Sequence, residues 1–316
     1  MTRRTGFGLL AVPLVLIVPF VARASSDEPA GINLGGSSFM DGFGRTDPGF
    51  VYQQYLQVEH YDAINDQNDH PLPMFQGTDI NAVTSLNHLL YISPYHWLGG
   101  SLGVEALLPV VDLNASFAPA SPAKLTADRG PALGDLTWGV FLQMPPVMQE
   151  GRPVFVQRFD VDVISPTGQY NHADNINPSS GFWSLNPYWA MTFLPTPNTE
   201  GSIRLHYLHN FENGDPAGGA APFRAGDAVW ANFTASYKVP PAFYVGLNGY
   251  YFQQIQDDIV NGQTSPESET TNFSLGPGVM FQPDANNTFF VNAYLPVIER
   301  NTTQGIHLVF RWTHVF

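Results

Sequence analysis

The stretch VFVQRFDVDVISPTG carries three charges within five residues, Arg158, Asp160 and Asp162. They occupy every second position, opposite Phe159, Val161 and Val163. On a strand, alternate residues share a face. One guanidinium and two carboxylates would therefore stand side by side, away from the apolar residues. Such a group can select solutes in a passage, or close into a polar network that fills and stiffens an interior. The pattern leaves both readings open. Arg204 and His206 in SIRLHYLHNF, together with Glu59, Glu105, Lys238, His307 and Arg311, belong to the same inward-facing set.

Other chemistry fails on context or spacing. GGSLG at 99–103 matches the nucleophile-elbow pattern G-x-S-x-G around Ser101, but that motif needs a strand-to-helix turn. Here it opens an alternating run with no helix after it. His206 and His209 are three apart, so on a strand they face opposite sides and cannot share an ion. Asp62, Asp66 and Asp69 in DAINDQNDH lack the spacing of an EF-hand loop. The chain has no cysteine, which removes disulfides, thiolate metal sites and a cysteine nucleophile together. No catalytic residue, metal site or cofactor is assigned.

The elements that would position these charges are strands. Only 13% of the 316 residues are charged while 44% are hydrophobic, against about 25% charged in an ordinary soluble domain. No apolar run in the body of the chain is long enough for a spanning helix. Apolar residues spread at every second position are the signature of a transmembrane β-barrel or of a β-sandwich. Alternating runs fall near 50–61, 79–92, 99–113, 135–144, 153–164, 182–193, 202–212, 228–238, 242–253, 271–282, 288–297 and 305–316. Twelve is an even number, as bacterial barrels require.

The connections separate barrel from sandwich. Long ones such as DAINDQNDHPLPMFQGTD and SPTGQYNHADNINPSSG alternate with short ones such as PTPNTEG and VPPA. Short turns on one side and longer loops on the other describe an outer-membrane barrel; IERNTTQ, short where parity asks for a long loop, is the exception. Tyr91, Tyr95, Trp97, Trp183, Trp189, Phe243 and Trp312 fall near strand ends, where aromatic girdles lie. Pro109, Pro187, Pro277 and Pro296 fall inside expected strands, and a closed barrel has no free edge to shelter a proline. Bulges or shifted boundaries are expected there.

The two ends of the chain carry signals of their own. Arg3 and Arg4, the apolar run 6–21 and Ala22-Arg23-Ala24 form a secretory signal peptide, 1–24, with the mature start at Ser25. Residues 25–48 are Gly-rich and aperiodic, an irregular periplasmic segment that could plug the lumen, and the barrel occupies 49–316. The last run, GIHLVFRWTHVF, puts Phe310 and Trp312 on one face and ends on Phe316. Pairing it with the first strand would close the barrel, since unpaired backbone groups in lipid cost several kcal/mol each. Phe316 resembles the C-terminal signal read by the outer-membrane assembly machinery, except that His314 stands where an aromatic is usual.

Charge narrows the partners. Removing Arg3, Arg4 and Arg23 from 13 basic residues leaves 10 against 27 acidic ones, a net charge of −17. That excludes nucleic acid, which needs basic patches. The partners expected are a small-molecule solute, outer-membrane lipids and the assembly machinery. Loop acids Asp257, Asp258, Glu267 and Glu269 could bridge lipopolysaccharide through divalent ions, although simple solvation explains them as well.

INLGGSSFMDGFG, PGFVYQQYLQ, GVEALLPVVDLNASF, GDLTWGVFLQ, RFDVDVISPTGQY, INPSSGFWSLNPYWA and RLHYLHNF together resemble the bacterial outer-membrane transporter family of the meta-pathway of phenol degradation. The resemblance runs through nearly the whole mature chain. It implies a bacterial outer-membrane barrel for passive uptake of aromatic or other hydrophobic small molecules. An outer-membrane lipid-modifying enzyme, or a structural barrel with a filled lumen, is the alternative. The enzyme would need Ser and His on the lipid-facing wall, whereas Ser101 and Ser236 fall on inner faces.

Overall fold

The computed structural model describes residues 32–316; the signal peptide and its cleavage site lie outside the described residues. Twelve antiparallel strands form one closed barrel: β1 (Gly49–Ile64), β2 (Asp79–Trp97), β3 (Gly100–Ser116), β4 (Leu136–Gln143), β5 (Arg152–Ser165) and β6 (Ser184–Thr196), then β7 (Thr199–Asn210), β8 (Ala228–Val239), β9 (Phe243–Gln254), β10 (Thr271–Phe281), β11 (Asn287–Arg300) and β12 (Thr303–Val315). Each strand pairs with the next, and β12 pairs with β1 from Val51–Val315 to Ile64–Thr303. That last ladder leaves no free edge. Among the described residues no helix is long and apolar enough to cross a membrane.

The barrel is apolar outside and polar within. Val104, Val140, Val161, Leu247 and Val291 lie exposed on the outer wall, while Glu105, Gln143, Asp160, Asn248 and Asn292, on the opposite face of the same strands, are buried in the lumen. Strands of period two whose apolar face meets solvent are stable only if that solvent is lipid. Aromatic pairs collect toward the short-turn end, with ring centroids 4.9 Å apart for Phe155–Phe193 and 4.6 Å for Phe243–Phe281.

Several strands run longer than their alternation suggests. β2 continues to Trp97 rather than 92, and β3 begins at Gly100. SPYHWLG therefore shrinks to the two-residue turn Leu98–Gly99, with φ +48° and +83°. Two left-handed residues in a row are the hairpin geometry that follows strand twist, but a leucine there gives no sequence signal. β6 runs to Thr196 and β7 starts at Thr199, where 193 and 202 were expected. The acidic loops hold a small sheet of their own, Phe223–Arg224, Asp258–Val260 and Gln263–Ser265.

The prolines resolve in three ways. Pro296 sits at a true bulge, where β10 pairs Phe273 with Ile298 but Ser274 with Pro296. Pro187 and Pro277 stay in register and cost only rungs: β6–β7 pairing skips from Leu185 to Tyr188, and β10–β11 skips from Leu275 to Gly278. Pro109 faces the break before β4, where its carbonyl accepts the Gly134 N–H at 3.0 Å.

Candidate lumen site

The described part of the N-terminal segment, residues 32–48, runs inside the barrel from the long-loop half down to the short-turn end. Its backbone is held by wall side chains. Gly35 N–H donates to Asn232 Oδ1 at 2.8 Å, Met40 N–H to Glu200 Oε1 at 2.9 Å and Gly42 N–H to Thr192 Oγ1 at 2.8 Å. In return, Tyr294 Oη–H donates to the Gly35 carbonyl at 2.7 Å and Gln143 Nε2–H to that of Gly42 at 3.0 Å. The glycines permit this approach: a Cβ on Gly42 would lie 2.5 Å from the Val156 carbonyl oxygen. Phe39 is the apolar anchor, buried against Met280 and Phe290. At the base, Arg45 donates to the Phe316 carbonyl and Ser101 Oγ to that of Thr46 at 2.6 Å. Ser101 also lies 3.3 Å from His96 Nδ1, but it opens a strand inside the barrel and lacks the elbow turn of a nucleophile.

Charged residues gather on the β2–β7 wall. Arg158 donates to Glu105, and to Asp160 Oδ2 at 2.7 Å. His88 Nε2 lies 3.1 Å from Glu105 Oε2, and Tyr188 Oη–H donates to Glu105 Oε1 at 3.3 Å. The Arg158 guanidinium also lies 3.9 Å from the centre of the Phe141 ring. Asp162 completes the group: one oxygen from each of Glu105, Asp160 and Asp162 falls within 4.8 Å of the others. Arg204 grips Asp41 of the N-terminal segment with two bonds, 2.7 and 2.6 Å. His206 stacks on Trp230 at 3.4 Å and pairs through Nδ1 with Asn186 Oδ1 at 2.9 Å.

The rest of the inward set is dispersed. Glu59 and His307 stand 3.6 Å apart on the long-loop side. Arg311 donates to the Gly36 carbonyl at 3.3 Å and lies 3.6 Å over Phe290. Lys238 is isolated near the short-turn end, 5.9 Å over Tyr244. Phe310, Trp312 and Phe316 are exposed on the outer wall. Sequence reasoning missed His88, Tyr188, Glu200 and Asp41. His88 sits in a strand of mixed faces, and Asp41 in a segment with no period.

Above the segment is a cavity of about 200 Å³, bounded by Ile32 and Leu34 below and by Glu59, Tyr61, Leu86, Val111, Tyr250 and His307 around it. Its walls come from the long-loop halves of the strands. Asp135 and Pro178, from the loops after β3 and β5, also line it.

A family model described as "Putative MetA-pathway of phenol degradation" matches residues 45–312. A crystal structure of the COG4313 outer membrane channel from Pseudomonas putida F1 superposes with a TM-score of 0.75, covering 88% of this chain and 98% of that one at 16% identity. The KdgM porin (TM-score 0.38, 10% identity, 84% and 99% covered) and the CymD monoaromatic hydrocarbon channel (0.43, 7%, 85% and 88%) are similar more loosely, too loosely to carry an argument. No curated protein matches the sequence.

Proposed function

The chain belongs to the phenol-degradation family whose model spans residues 45–312, and from that premise we propose that it is a passive outer-membrane channel for small, hydrophobic or aromatic compounds. The observation that carries this reading is the cavity on the long-loop side, mixed in lining and floored by the N-terminal segment rather than by the barrel wall. Leu34, Leu86, Val111 and Tyr250 give it apolar surface, while Glu59 and His307 supply the few polar groups that orient a ligand. Passage beyond the cavity requires the segment to shift, because residues 35–42 occupy the lumen below. Residues 32–48 are thus a gate, and the inward set divides by its position. Glu59 and His307 meet a solute first. Glu105, Arg158, Asp160 and Asp162 meet it only after the segment leaves.

Single-channel conductance and uptake of phenolic solutes into liposomes test this, with the full chain compared with one lacking residues 25–48. Larger conductance steps and faster uptake after truncation are expected. A truncated barrel that folds but passes neither ions nor phenols would favour a structural barrel with a filled lumen. A reversible version uses the cysteine-free background: Ser38→Cys with Asn292→Cys replaces the 3.1 Å contact that Asn292 Nδ2–H makes to Ser38 Oγ. Oxidation should lower conductance, and reduction should restore it.

A further inference from the structure

Glu105 and Asp162 both flank Gly139, paired with it from β3 and from β5. Two residues along β5, Asp160 joins them. All three carboxylates are buried. Arg158 takes one oxygen of Glu105 and one of Asp160. The other oxygens, Asp160 Oδ1 and Asp162 Oδ1, are buried without a hydrogen-bond partner. Both point at one place: a Cβ built on Gly139 would lie 2.1 Å from Asp162 Oδ1 and 3.1 Å from Asp160 Oδ1. The glycine leaves room that the Asp162 oxygen takes up, and the two orphaned oxygens stand together beside it.

The charges do not close. Three carboxylates against the single Arg158 leave a formal −2 in a buried site, counting His88 as neutral. Arg204 cannot compensate, being held by Asp41 of the N-terminal segment. Buried charge must be paired, coordinate a metal or be neutralised by a proton. We propose that Glu105, Asp160 and Asp162 bind one divalent cation of calcium's size between their carboxylates, beside Gly139. Calcium takes oxygen ligands at about 2.3–2.6 Å, so oxygens on opposite sides of it stand roughly 4.6–5.2 Å apart. The three donor oxygens lie no farther apart than 4.8 Å, so one ion can touch all three. Magnesium usually keeps several waters and takes only one or two carboxylates, which a buried three-carboxylate set does not suit. In this arrangement Asp160 bridges the ion and Arg158, and the ion ties β3 to β5. The site is independent of the transport reading.

The test uses the full chain refolded in detergent at neutral pH after treatment with EDTA. Calcium is titrated by calorimetry, and thermal unfolding is followed with calcium and with EDTA. One bound calcium per chain and a higher Tm in calcium are expected. Asp162→Asn should weaken binding at least tenfold and remove the Tm difference, whereas Asp257→Asn, in an outer loop, should change neither. Should Asp162→Asn fail to fold, the wild-type Tm comparison and the Asp257→Asn titration decide alone. A wild-type protein that binds no calcium overturns the proposal. So does binding that survives Asp162→Asn, or an infrared band of a protonated carboxyl group that Asp162→Asn removes.

Discussion

The two sides of the lumen solve the same problem differently. From β2 to β7 the inner wall is charged, and most charges answer one another: Arg158 reaches Glu105 and Asp160, and His88 reaches Glu105. From β8 to β11 the middle of the inner wall is neutral, with Asn232, Thr234, Asn248 and Asn292 buried in it and the charges Lys238 and Glu299 near its two ends. Thr234 Oγ1–H donates to Asn248 at 2.8 Å and Asn248 Nδ2–H to Asn292 at 2.7 Å. Asn232 and Asn292 reach on to the N-terminal segment. Among the described residues, Arg204–Asp41 is the one ion pair that joins segment to wall. The difference is one of kind. Glu105, Arg158, Asp160 and His88 pair among themselves without the segment, while Arg204 on the charged wall grips it by an ion pair and Asn232 and Asn292 on the neutral wall hold it through bonds that water can replace.

The charged wall should therefore fail as a unit. Arg158→Leu leaves Glu105 and Asp160 buried without their cation, and breaking a buried pair costs about 3–5 kcal/mol. Urea unfolding of the refolded barrel should show a loss of that order; a loss below about 1 kcal/mol would place the pairing elsewhere. One residue before Glu105, Val104 faces outward and is half exposed. Val104→Arg puts its charge into lipid, at about 2–4 kcal/mol near the midplane, and the folded fraction in vesicles should fall accordingly. Normal folding of this variant would sink the inside–outside assignment of β3.

On the neutral side the effect should be on gating more than on folding. Asn232→Leu removes the acceptor of Gly35 N–H and the donor to Ser37 Oγ, at 2.8 Å each. A buried group left unsatisfied costs about 1–3 kcal/mol, and here that cost falls on the closed position of the segment. More frequent open-channel events with an unchanged unfolding midpoint are expected. A barrel that unfolds early while its conductance stays unchanged would show that the neutral wall is structural too.

The barrel was legible because its signals are local. Period-two alternation and the C-terminal run each lie within one strand's length, and the parity of loop lengths is read directly along the chain. The inward faces of Arg158, Asp160, Asp162 and Arg204 follow from the same period. Which of them meet does not. Glu105 reaches Arg158 across 53 residues, and Asp41 reaches Arg204 across 163; strand tilt and register decide both, and neither is written in a short window. Turns divide in the same way. Asn261-Gly262 carries its left-handed geometry in its residue types, whereas Leu98-Gly99 and Glu150-Gly151 adopt the same signs of φ without that cue. The aperiodic segment hid its role because it is held through its backbone, which residue types report poorly.

The smallest expected effect lies outside the lumen and sharpens the contrast between charges held by charges and charges held by amides. Asp66, in the loop after β1, accepts the backbone N–H of Asn68 at 2.8 Å and of His70 at 3.0 Å through Oδ1. These amide bonds, that of His70 foremost, hold its carboxyl below the ordinary aspartate value. A carboxyl lowered in the folded state stabilises its loop above the unfolded value, about 3.9, and that contribution disappears as pH falls through the lower folded value. Amide exchange at Asn68 and His70, corrected for intrinsic rates, should therefore stay slow at neutral pH and speed up below about pH 4. Asp66→Asn keeps an acceptor without the charge, so it should exchange somewhat faster at neutral pH and lose the acid-dependent step. An acid step that persists in Asp66→Asn would assign the loop's pH response to another group.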